Sequence, residues 1–129
     1  MSATSFAPIA LERADRALRC SGFTRHLLET LVTVGVSLRA IAGEDGYRNG
    51  YTTAPRSLID TENRLLWLIQ VGVLRREVDG QGITDSFRIT PLGYQLLQQL
   101  QQQPIPPASG RDRFLNFWEQ IQIARLWGF

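Results

Sequence analysis

Between Gly72 and Thr90 the periodicity of the chain changes twice, and nothing else in the sequence constrains the fold as strongly. Upstream, apolar residues recur at helical spacing. From Leu74 the pattern alternates, with Leu74, Arg76 and Val78 on one side of an extended segment and Arg75, Glu77 and Asp79 on the other. Asp79-Gly80-Gln81-Gly82 supplies a turn, and Phe87 and Ile89 alternate with Ser86, Arg88 and Thr90 on the return. This pattern predicts a β-hairpin with Phe87 and Ile89 facing a core. Thr90-Pro91 then starts a helix, with threonine as cap and proline as first helical residue.

The rest reads as helices. Residues 8–20 place Leu11, Ala14 and Leu18 on one stripe, with Glu12→Arg16 and Asp15→Arg19 as i,i+4 pairs. After Ser21-Gly22, residues 23–34 align Phe23, Leu27, Leu31 and Val34. Ser37 caps a short helix over 38–42, and the glycine-rich stretch 43–54 reads as a loop. Pro55 starts a long helix to Gly72, with Leu58, Leu65, Leu66, Leu68 and Ile69 on its buried side. Residues 91–103 form an uncharged helix. Pro104 to Gly110 is a linker, stiff at its proline end, and 111–129 is an amphipathic helix. The expected architecture is mostly α with a small β-hairpin, organised as a domain over 1–103, a linker over 104–110 and an aromatic helix over 111–129.

At 129 residues one compact core fits, and no apolar run approaches the ~18 residues that span a bilayer. The first residues lack a basic stretch followed by an apolar one, so no signal peptide is expected. A single cysteine, Cys20, excludes an internal disulfide and suits a reducing compartment, which points to the cytoplasm. Cys20 and the single histidine, His26, cannot build a zinc site, and they read better as a small buried thiol and an ordinary helix residue. All 14 basic residues are arginine, against 12 acids, and they are dispersed rather than blocked. No phosphate-binding loop, nucleophile elbow or H-E-x-x-H pattern occurs. No enzyme, cofactor or metal is therefore expected.

The segment Leu65 to Leu97, LLWLIQVGVLRREVDGQGITDSFRITPLGYQLL, resembles the end of MarR-like and PadR-like winged helices. In those a helix stops at a glycine, a strand and its return form the wing, and a T-P-x-G motif follows, here Thr90-Pro91-Leu92-Gly93. The stretches ALRCS, IAGEDG and Leu65 to Gly93 also resemble a small uncharacterised cyanobacterial family, which implies no particular activity. The first resemblance implies a winged helix-turn-helix and a dimeric DNA-binding regulator. Its groove-contacting candidates are Arg56, Ser57, Thr61, Asn63 and Arg64 on the helix from Pro55, with Arg75 and Arg88 on the hairpin reaching phosphates. Each also reads as an ordinary solvated or ion-paired side chain. The long insertion at 43–54 and the acids at the wing tip, Asp79 and Asp85, depart from DNA-binding relatives. The second reading is thus a winged-helix adaptor or assembly factor that binds protein and no nucleic acid.

The tail concentrates Phe114, Phe117, Trp118, Trp127 and Phe129. Phe114, Phe117, Trp118 and Ile121 share a face, with Asp112, Asn116, Glu119 and Gln120 opposite. Burying aromatic area predicts that this face packs on protein, either its own domain or a second copy. Contact with a membrane surface is the less favoured alternative, because such helices usually carry more cations on their polar face.

Overall fold

The computed structural model describes residues 6–126. Residues 1–5 of the expected non-cleaved start, together with Trp127 and Phe129, lie outside the described residues. The chain runs α1 (Pro8–Arg19), α2 (Arg25–Thr33), β1 (Val36–Ser37), α3 (Leu38–Ile41), α4 (Gly43–Arg48), α5 (Leu58–Gln70), β2 (Leu74–Asp79), β3 (Gly82–Ile89), α6 (Pro91–Gln99) and α7 (Gly110–Leu126). The fold is mostly helical with a small antiparallel sheet of three strands in the order β1-β3-β2.

The hairpin lies where the alternation puts it. Leu74 faces Ile89 and Arg76 faces Phe87, with an irregularity between Arg76 and Val78. The third strand, β1, is too short to leave a periodic signal and was not expected. It pairs Val36 with Phe87, so Phe87 lies in the middle of the sheet and is fully buried. Ile89 packs partly buried against the same core.

Hydroxyl caps set most helix starts. The side chains of Thr24, Ser37, Ser57 and Thr90 accept from Leu27, Ala40, Asp60 and Gly93 N–H groups respectively. The long helix therefore begins after Ser57 rather than at Pro55. Phe23 lies before α2 in a bridge with Thr52, not in the helix. The expected loop at 43–54 contains a helix, α4. Glu44 and Asp45 occupy its first turn and Arg48 its last, matching the helix dipole. Gly46 is needed there because a Cβ would collide with the Ile41 carbonyl. Helix α6 ends before Gln101 and Gln102, which adopt left-handed conformations.

Leu18 of α1, Leu27, Leu28 and Leu31 of α2, Ile41 of α3, Leu65 and Leu68 of α5, Leu74 of β2 and Phe87 of β3 form the fully buried core. Leu96 and Leu97 of α6 close it from the other side. Leu58 and Leu66, expected on the buried side of α5, are exposed instead. Among the described residues no helix is long and apolar enough to cross a membrane.

Candidate functional site

Helix α5 is the element on which most candidate contacts converge, and its faces divide sharply. At helical spacing Leu65, Leu68 and Thr61 point into the core, and Thr61 is fully buried. Ser57 serves as the N-cap. Arg56 and Arg64 turn sideways, towards the α1–α2 junction. Both reach Asp60, Arg64 Nε at 3.0 Å and Arg56 Nη1 at 3.7 Å. Arg64 also donates to the Ser21 carbonyl at 3.0 Å. The Arg56 guanidinium lies over Gly22, whose missing Cβ leaves room for it.

These two arginines form one wall of a groove of about 770 Å³, bordered opposite by Pro106, Pro107 and Arg113. Cys20 opens onto the groove half-buried. Burial pushes its thiol pKa up, and the nearby Asp112 carboxylate adds to this. The groove is cationic, but Arg19, Arg56 and Arg64 are engaged within the chain, and Arg113 on its rim is the exposed exception.

The solvent face of α5 differs in character. Asn63 and Gln70 are exposed there, beside Ile59 at 71% and Leu66 at 39% exposure, with Glu62 at the margin. That face carries no cation. Sequence reasoning missed it, although the helix has more large apolar residues than one buried stripe can use.

On the β2–β3 hairpin, Arg88 is turned inward. It donates to the Leu31 carbonyl at 3.0 Å and the Val32 carbonyl at 2.9 Å, closing the C-terminal end of α2, and approaches Glu77 at 3.4 Å. Arg76 covers the Phe87 ring at 5.2 Å. Arg75 alone of the hairpin candidates is exposed to solvent. Towards the tip Val78 and Ile83 face each other in register, both exposed, with Asp79 and Asp85 beside them.

Helix α7 folds back onto α1, but not by the face expected. Ser109 and Asp112 form a reciprocal capping box: Asp112 N–H donates to the Ser109 hydroxyl at 3.1 Å, and Ser109 N–H to the Asp112 carboxylate at 2.9 Å. Asp112 then accepts from Arg19 at 2.7 Å, Glu119 from Arg16 at 2.7 Å, and Asn116 from the Trp67 indole N–H at 2.8 Å. The pairing of Asp112 with Arg19 and Glu119 with Arg16 makes α7 antiparallel to α1. The Ser109 N–H holds the Asp112 carboxyl below the usual carboxylate range against its partial burial, and the Ser109 hydroxyl, Arg19 and Arg16 reinforce this. Phe114, Phe117 and Trp118 point outward at 66%, 59% and 47% exposure, while Ile121 is half-buried. The arginines of α1 decide this outcome, because they attract the acidic face of α7 and leave the aromatic face free.

Among the described residues no cluster of His, Cys, Asp or Glu is arranged to hold a metal ion. His26 stacks on Tyr51 with ring centroids 5.5 Å apart. No curated protein and no solved structure matches the chain. The model of the Npun_F0494-like family matches residues 4–120, nearly the whole chain, and with it the sequence stretches noted above. The protein belongs to the Npun_F0494-like family.

Proposed function

We propose that the protein is a winged-helix interaction module, an adaptor or assembly factor that binds a protein partner without reading nucleic acid. The element order, with a helix before the β2–β3 hairpin and a third short strand beside it, supports this reading, in which α5 would correspond to the recognition helix and β2–β3 to the wing. One observation carries the reading: the exposed face of α5 presents Ile59, Leu66, Asn63 and Gln70 beside Glu62, and no cation. A helix that enters a DNA groove needs cations near phosphates, whereas exposed aliphatic side chains between amides suit a protein surface. The wing supports the same reading with Val78 and Ile83 next to two acids. The cations of the regulator alternative are Arg56, Arg64, Arg75 and Arg88; Arg56, Arg64 and Arg88 hold the chain's own carboxylates or carbonyls, and Arg75 is left exposed on the hairpin.

The expected result of a gel-retardation assay is no shift of duplex DNA at low salt. A salt-sensitive shift weakened by Arg56→Ala with Arg64→Ala would restore the regulator reading. In the same protein a photo-crosslinker placed at Leu66 should give one discrete protein adduct, absent when it is moved to exposed Gln98 on α6.

A further inference from the structure

We propose that α7 is an interfacial helix that seats the protein on an anionic lipid surface through Phe114, Phe117 and Trp118, with Arg111, Arg113 and Arg125 as the headgroup contacts. The docking geometry produces this surface. Both acids of α7, Asp112 and Glu119, are turned inward onto Arg19 and Arg16. The three arginines of the helix are all exposed. What remains outward is therefore aromatic and cationic, with no carboxylate to oppose it. At ~100° per residue, Phe114, Phe117 and Trp118 span an arc of ~100°, Arg111 and Arg113 lie on its two shoulders, and Arg125 falls within the same arc further along the helix. Aromatic rings with flanking arginines are the side chains that settle at headgroup depth, the rings in the acyl boundary and the guanidinium groups on phosphates.

The scarcity of cations on the polar face loses its force once that face is docked on α1, because it never meets the lipid. Docking also holds α7 helical before contact, so binding does not have to order it. Charge separates the lipid from the other occupants. A two-fold pair of α7 helices would bring three arginines of each copy together without an acid. Phe114, Phe117 and Trp118 moreover line neither of the two grooves that flank the helix, into which a protein partner would place an anchoring residue. The proposal does not depend on what α5 binds.

Vesicle flotation with the full chain tests it. Vesicles of phosphatidylcholine with phosphatidylglycerol should carry the protein up, and vesicles of phosphatidylcholine alone should not. Arg111→Gln, Arg113→Gln and Arg125→Gln together should weaken partitioning on the order of a hundredfold, since each cation near an anionic surface contributes roughly fivefold. Phe114→Ser, Phe117→Ser and Trp118→Ser together should abolish it. Both variants should keep the parent's melting curve, because none of these side chains enters the core. Failure to float with anionic vesicles, or flotation unchanged in either variant, overturns the proposal. So does a dimer in light scattering that the aromatic substitutions dissociate, since the face would then be occupied by a second copy.

Discussion

Phe87 shows how one side chain holds three strands together. It faces Val36 on one side and Arg76 on the other, and its ring is fully enclosed. Phe87→Ala should destabilise the fold by ~3–5 kcal/mol in chemical denaturation, as for other large aromatic deletions. Gly93 explains the last letter of T-P-x-G. The Thr90 hydroxyl accepts from Gly93 N–H and donates to the Gly72 carbonyl, which pulls α6 so close to the sheet that a Cβ at Gly93 would strike the Val73 carbonyl. Gly93→Ala should therefore cost ~1–3 kcal/mol by overpacking, despite alanine's better helix propensity. Cys20 should react with iodoacetamide at neutral pH more slowly than a free thiol, because burial and Asp112 both favour its protonated form. The inward direction of Phe87 and Ile89 was legible in the alternation. The outward direction of Leu58 and Leu66 was not, since several leucines on one helix leave its buried arc ambiguous until its neighbours are known.

Among the elements, α7 depends most on charge. Asp112 has a lowered pKa in the folded chain, so its contribution is complete above the ordinary carboxylate value and fades as pH falls through the lowered one. Acidification into that window should detach α7 before the aliphatic core unfolds, seen as a change in near-ultraviolet circular dichroism from Trp67. Asp112→Asn should remove that step while leaving the main transition in place. Long helices, caps and the hairpin were readable because their determinants are local: Thr24, Ser37 and Thr90 each act within a few residues. Helix α4 was hidden because its glycines also signal loops, and only contact with Ile41 shows why Gly46 is there. The reversed orientation of α7 was hidden for the opposite reason. It is decided by Arg16 and Arg19, about a hundred residues away in the chain, whose own i,i+4 acids disguised them as a solvated edge.

At the scale of the whole molecule, the core is assembled almost entirely before the linker, with Ile105 and Ile123 as the later contributors packed against it. Truncation after Pro107 should therefore leave a cooperatively folding protein whose Tm falls by a few degrees, as the Trp67 indole, Arg16 and Arg19 lose their partners. Loss of cooperative unfolding in a thermal melt of the truncated chain would mean that α7 belongs to the core. The short strand β1 has a kinetic counterpart. The hairpin and α6 are built from neighbours in sequence, whereas Val36 meets Phe87, and Leu31 and Val32 meet Arg88, only when a loop of roughly fifty residues has closed. Within the sheet and the core that closure has a large entropy to overcome, whereas the longer closure to α7 only adds a surface helix, so the former should set the refolding rate. In stopped-flow traces Val36→Ala should slow refolding, whereas weakening the α7 contacts should show mainly as faster unfolding. Two residues of strand would then govern how quickly the chain finds its fold.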